Sequence, residues 1–438
     1  MSKVSYVTLS LLTSAFLFLS GCDKTKDPLP GKREALFLSQ DTLKVDETLK
    51  YTKPVVSKAI DINEWPLSGG NSTHNMGAGK VGESALKAYF KTSLGKGGSD
   101  CQKLIGNLVS GGDVVFGNDA TGVVSAVDGK TGKILWKTVT SEKGMESESL
   151  GTGIALEGNH LYVTTSFAEV ICLEATTGKE IWRQKALSPI RTAPTASQGR
   201  LFVVTINNEL MALDGKTGAL LWSHAGITEA ASLLGGASPA VSGDMVVAVY
   251  SSGEVYALKI ENGHPIWSDT LTSALRFDSV SGISHIRARP IIDGTNVYVL
   301  SHGGRMICLD LHSGIRKWVK DIAGMRTPVI SNNILYVLTN EQELVAIKAD
   351  TGQVYWISSL AKTDASKDPI LWSGPLLVDS TILLTSSAGT IVRVSPGTGE
   401  IINTVNLKDS ITLSSIITKG RLLSLSDEGY LISYGATS

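Results

Sequence analysis

Asp128-Gly129-Lys130-Thr131-Gly132, followed at the fourth position by Trp136, returns as Asp214-Gly215-Lys216-Thr217-Gly218 followed by Trp222. The same frame recurs at Gly178 and Trp182, Gly263 and Trp267, Gly314 and Trp318, and Gly352 and Trp356, and a seventh copy carries Gly399 with Asn403 in place of Trp. Each Asp-x-x-x-Gly reads as a hairpin turn, because Asp bonds to the backbone of a tight turn and Gly accepts positive φ. The glycines are 46, 40, 45, 51, 38 and 47 residues apart, the length of one four-stranded propeller blade.

The rest of the repeat agrees with that unit. Leu161-Tyr162-Val163, Leu201-Phe202-Val203-Val204 and Val297-Tyr298-Val299-Leu300 are strand-like runs of β-branched and aromatic residues. A third strand, such as Leu210-Met211-Ala212-Leu213, leads into the turn, and the Trp strand returns on the outside. Proline at 194, 239, 290, 328 and 375 lies 28 residues before Trp222, Trp267, Trp318, Trp356 and Asn403, so blade bodies have constant length and only connections vary. The last copy, Gly420 through Tyr434, stops before a turn and outer strand. Ala88-Tyr89-Phe90-Lys91-Thr92 resembles Leu135-Trp136-Lys137-Thr138, with Phe90 at the Trp position. Residues 85–93 are therefore predicted to complete the last blade, removing the exposed edges of an open array. The expected fold is all-β, an eight-bladed β-propeller of four-stranded blades closed by an N-terminal strand.

Composition fits this reading. Glycine accounts for 45 of 438 residues, charged residues for 18% and hydrophobic residues for 42%, a profile of short strands and tight turns around a sizeable core rather than of disorder or helices. Lys plus Arg at 40 against Asp plus Glu at 41 lacks the basic surplus that phosphate backbones require, so nucleic acid is not an expected partner.

Residues 1–21 read as an export signal: Lys3 precedes the largely apolar run Val4 to Leu19, and Leu19-Ser20-Gly21-Cys22 resembles a bacterial lipobox. That resemblance implies cleavage before Cys22 and lipid on its sulfur. No later apolar run reaches the length of a membrane span, so the expected mature protein is anchored rather than integral. The lipobox is followed by Asp23, which in the enteric sorting rule favours retention at the inner membrane. Residues 22–58 carry Pro28, Pro30 and Pro54 among many charges and are expected to be a tether, leaving 59–438 for the propeller.

Chemistry-bearing patterns are sparse. Cys22, Cys101, Cys172 and Cys308 are isolated from one another. Cys172 and Cys308 occupy the repeat position of Ala126, Ala212, Ala257 and Ala346, which reads as small, buried and apolar; a disulfide between them is not expected. No His-Glu-x-x-His or Cys-x-x-Cys spacing offers a metal site. Gly129-Lys130-Thr131 superficially matches a phosphate loop, but Val124 stands where its leading Gly belongs. The register tryptophans read as blade-to-blade packing rather than a stacking surface.

The Ala-x-Asp-x-x-Thr-Gly-x-x-x-Trp repeat resembles the pyrroloquinoline-quinone-type propeller family over residues 65–435. Quinoprotein dehydrogenases of this type use adjacent cysteines and a Ca²⁺ cluster; the adjacent cysteines are absent here, and the expectation is no cofactor, no metal and no enzymatic activity. Trp65-Pro66-Leu67-Ser68-Gly69-Gly70-Asn71 and His285-Ile286-Arg287-Ala288-Arg289-Pro290 are similar to segments of the accessory lipoproteins of the outer-membrane β-barrel assembly machinery. This resemblance implies a periplasm-facing scaffold at the outer membrane, binding periplasmic domains of the barrel-inserting subunit and unfolded barrel substrates. Docking loops of that family map to Ser232, Leu233 and Leu234 and to His285 and Arg287; other members carry Arg at the position of Leu234 and acidic residues at those of His285 and Arg287. Independently, the longest connection, from Ser268 to Arg289, combines Phe277, aliphatic residues, Arg287 and Arg289, the mixture of an interface core. The alternative class is a periplasmic quinoprotein-like propeller enzyme.

Overall fold

The computed structural model describes residues 43–82, 87–100, 102–141, 152–229, 233–271, 285–362 and 368–435. Lipid-site residue Cys22, the signal segment and docking candidates Ser232 and Phe277 lie outside the described residues.

The described chain forms eight four-stranded antiparallel sheets in sequence order, blades one to seven spanning Val109–Val139, Thr152–Lys185, Thr195–Ala225, Ala240–Thr270, Ile291–Lys320, Val329–Ser359 and Trp372–Asn406, and the structure is an eight-bladed propeller. In seven of them each strand pairs with the next in the chain. The eighth combines Ile416–Thr418, Arg421–Leu425 and Tyr430–Gly435 with the distant strand Lys87–Ser93, where Phe90 pairs with Ser433 and Thr92 with Leu431. The expected closure is therefore present.

The repeat motif holds neighbouring blades together. In the first turn the Asp128 carboxylate accepts hydrogen bonds from the Lys130 and Thr131 amides and the Thr131 hydroxyl, and the Gly132 amide donates to the Asp128 carbonyl at 2.8 Å. The geometry is that of a hairpin, with no phosphate cradle. Each tryptophan lies over the turn glycine of the following blade: Trp136 over Gly178, Trp182 over Gly218, Trp222 over Gly263, and so on to Trp356 over Gly399. Its indole N–H donates to a carbonyl of that blade, at 3.0 Å from Trp136 to Ala175 and 2.7 Å from Trp267 to Leu311. Phe90 packs on Gly132 in the same way, so the closing strand repeats the contact with a smaller ring.

Within a blade the tryptophan requires a small residue opposite. Trp136, Trp222, Trp267 and Trp356 pair with Ala126, Ala212, Ala257 and Ala346, while Trp182 and Trp318 pair with Cys172 and Cys308. Both thiols are free and buried. Burial pushes them up to about 12 and about 11 respectively, far from the thiolate range. In the seventh blade Asn403 replaces Trp, and its partner across the ladder is Arg393. The Arg393 guanidinium reaches the Gly82 carbonyl and pairs with Asp379.

Two N-terminal stretches lie against the ring. Residues 43–58, which the sequence assigns to the tether, run along the sixth blade and its neighbours: Asp46 donates its amide to the Val354 carbonyl, Ser57 bonds to Ser331, and Asn332 caps the Val55 carbonyl. Leu43 and Val56 pack on blade cores there. Pro54 and the surrounding charges hide a few apolar anchors too widely spaced to show periodicity. Residues 60–82 then cross the ring. Their backbone bonds Ser110, Leu156, Val241, Ile292, Leu377 and Lys419, which belong to or flank the inner strands of blades one, two, four, five, seven and eight. A segment that reaches six inner strands can do so only across the central channel, so residues 60–82 close one end of it.

Candidate docking site

The connections that precede the inner strands meet at the other end of the channel. Two of them, leading into blades four and five, are joined directly: the Leu233 amide donates to Nδ1 of His285 at 2.9 Å. Beside this bond Gly235 leaves room for Arg287, whose Nε would lie 3.2 Å from a Cβ at that position. Ile286 is 1% exposed and belongs to the shared core of blades four and five, which fixes the residues on either side of it. The Arg289 amide and Nη1 both donate to the Thr327 hydroxyl, at 3.1 and 3.3 Å, tying the same connection to blade six.

The site residues expected from sequence thus divide. Leu233, His285, Arg287 and Arg289 converge, and Leu234 stands next to them, half-buried. His285 does not present its ring to solvent: it is 3% exposed. Burial, then Arg287 and His302, pull its imidazole down to about 4, so it is neutral at physiological pH and accepts the Leu233 amide. It shapes the loop, and the surface is left to Leu233, Leu234 and the arginines.

Arg326, not foreseen from sequence, completes the site. A cavity of about 60 Å³ is lined by Gly235, Gly236, Arg287, Arg289, Arg326 and residues of the connections into blades one and eight. Walls from five blades place it on the propeller axis. Burial pulls Arg289 and Arg326 down to about 10 and also lowers Arg287; the Arg287 charge further lowers Arg289 and Arg326, Arg289 adds to the effect on Arg326, and Asp427 opposes it there. Below this layer His74 of the crossing segment is 6% exposed and bonds through Nδ1 to the Pro290 carbonyl at 2.8 Å; burial and Arg289 pull it down to about 3. A second cavity of about 30 Å³ lies beside Leu233 and His285. Both are well below the 300–1,000 Å³ usual for cofactor pockets. Among the described residues no group of three or more His, Cys, Asp or Glu is placed to hold a metal, and no helix is long and apolar enough to cross a membrane.

A family model described as outer membrane protein assembly factor BamB matches residues 120–358, more than half of the chain. The chain belongs to the BamB family. The BamB of Yersinia pestis is 29% identical over 294 residues, covering 66% of this chain and 75% of that one. An uncharacterised protein of Rickettsia prowazekii is 30% identical over 261 residues, 59% of this chain and 63% of that one. In structure, BamB from Moraxella catarrhalis superposes with a TM-score of 0.68 at 20% identity, covering 80% of this chain and all of that one. Quinohemoprotein alcohol dehydrogenase from Comamonas testosteroni gives 0.67 at 13% identity over 87% of this chain and 82% of its own. The two TM-scores are nearly equal, so these superpositions show the propeller fold alone, and membership of the family rests on the family model.

Proposed function

We propose that this BamB-family chain is a non-enzymatic scaffold lipoprotein of the outer-membrane β-barrel assembly complex. It is held by lipid on Cys22 at the periplasmic side of the outer membrane after loss of residues 1–21. Through Leu233, Leu234, Arg287 and Arg289, with Ser232 and Phe277 on the same two connections, it binds periplasmic domains of the barrel-inserting subunit and assists unfolded barrel proteins. The observation that carries the reading is the convergence of these two connections, through the bond from Leu233 to His285, in a chain of the BamB family. The lack of adjacent cysteines favours it over a quinoprotein enzyme.

The test is capture of partners by the tagged full-length chain solubilised in mild detergent. The barrel-inserting subunit is expected in the eluate. Charge reversal at Arg287 combined with Leu233→Glu is expected to weaken its capture at least tenfold while the melting temperature stays within a few degrees. Dye-linked oxidation of alcohols by the purified chain, with no barrel-assembly subunit retained, would overturn the proposal.

A further inference from the structure

Arg287, Arg289 and Arg326 all line one cavity of about 60 Å³ on the propeller axis. They reach it from separate connections, those into blades five and six, so no single stretch of sequence makes the cluster. Among the described residues none of the three has an ion-pair partner, whereas Arg183, Arg316 and Arg393 each have one. Nε of Arg289 is buried with no hydrogen-bond acceptor. The carboxylate that acts on Arg326 is that of Asp427, and Asp427 already accepts bonds from the Ser410 and Thr412 hydroxyls and the Thr412 amide. The other residues lining the cavity, Asn107, Thr327 and Ser414 among them, carry no acidic side chain, and the nearby histidines supply no anion either. His74 and His285 are neutral imidazoles, and the Thr327 hydroxyl is already an acceptor for Arg289.

Three like charges partly withdrawn from water repel one another, and a buried cation without a counter-charge is strongly unfavourable. Guanidinium groups match carboxylate and phosphate oxygens through paired N–H donors. A volume near 60 Å³ has room for one compact anionic group. We propose that the axial cavity is an oxyanion site, in which Arg287, Arg289 and Arg326 bind a single carboxylate or phosphate group. That chemistry has two sources: a free small anion, or the acidic side chain of a docked protein that reaches into the channel mouth beside Leu233.

Titration calorimetry of the detergent-solubilised full-length chain with inorganic phosphate, at ionic strength held constant with chloride, distinguishes them together with partner capture. For a free anion, binding is saturable with one site per chain. It weakens at least tenfold in the double variant Arg289→Met, Arg326→Met, and is unchanged in the exposed-turn control Lys216→Gln. That double variant is expected to melt no lower than the wild type, since it relieves repulsion, and intrinsic tryptophan fluorescence checks that it is folded. The single variant Arg326→Lys, which keeps the charge but loses the planar fork, is expected to fall between the two. For a partner's acidic side chain, phosphate competes with capture of the barrel-inserting subunit, and the double variant loses that capture. Absence of phosphate binding together with capture that neither phosphate nor the double variant alters would overturn the site. Should the wild type capture no barrel-inserting subunit, the docking proposal falls while the phosphate titration still decides this one.

Discussion

The contact that organises the propeller is an indole laid flat on a glycine of the next blade, and its sensitivity can be measured one atom at a time. A methyl group added at Gly314, where φ is +71°, would fall 2.6 Å from Cγ of Trp267. At Gly294, with φ of +57°, it would meet nothing within 4 Å. Both substitutions strain a left-handed backbone, so their difference isolates packing. Gly294→Ala is expected to cost about 1 kcal/mol and Gly314→Ala roughly 2–4 kcal/mol in denaturant unfolding; equal costs would mean that the indole has room to move. His74 offers a second measurement. Its folded-state value of about 3 lies below the 6.5 of an ordinary imidazole, so the unfolded chain takes up the proton first. The resulting stability is complete above pH about 6.5 and is lost on acidification toward pH 3, at roughly 1.4 kcal/mol per pH unit. His285, with a value of about 4, adds a slope of the same sign. His74→Asn is expected to flatten melting temperature between pH 6.5 and 4.5, and an unchanged slope would place the acid sensitivity elsewhere.

Among the elements, the strand Lys87–Ser93 carries the clearest consequence. A chain beginning at Gly95 loses the outer strand of the last blade and also residues 60–82, whereas one beginning at Ile60 keeps both. The first is expected to melt well below the second, and coincident melting curves would exclude ring closure as a source of stability. Phe90 is half-buried, so Phe90→Ala is expected to cost about 1–3 kcal/mol, less than the 3–5 typical of a fully buried aromatic ring. This strand was legible in the sequence because Phe90 sits at the tryptophan position of a repeat whose chemistry is local: an Asp and a Gly for the turn, an indole for the neighbour. Residues 60–82 were not legible as a crossing segment. Their bonds to Val241, Ile292 and Leu377 are between backbone groups, which leave no mark on side-chain type. The two candidate docking connections stood out in the sequence through the length of one of them and through family likeness. The arginine layer was not, since Arg289 and Arg326 are 37 positions apart and only the ring unites them. A signal did exist: Arg287, Arg289 and Arg326 stand three, one and two residues before the prolines that open their inner strands, Pro290 and Pro328.

For the molecule as a whole, Cys172 and Cys308 report on cooperativity. They occupy equivalent places behind tryptophans in blades two and five and are both 0% exposed. If the closed ring unfolds as one unit, peptide-resolved mass spectrometry should find both thiols labelled with the same dependence on denaturant. Labelling of one while the other stays protected would mean that blades open separately, as in an open repeat array. Unreduced protein should show no linkage between them. Closure also sets a timetable. Lys87–Ser93 is synthesised 337 residues ahead of Tyr430, where its partner strand begins, and an exported chain threads across the membrane in the same order. At ordinary rates of synthesis that is an interval on the order of 20–70 s. Throughout it the newborn strand is an unpaired ribbon among other ribbons of the same repeat, any of which offers a similar hydrogen-bonding edge. Lys87 and Lys91, exposed on this strand in the finished ring, suit such a wait, because their charges discourage premature pairing until the final hairpin arrives.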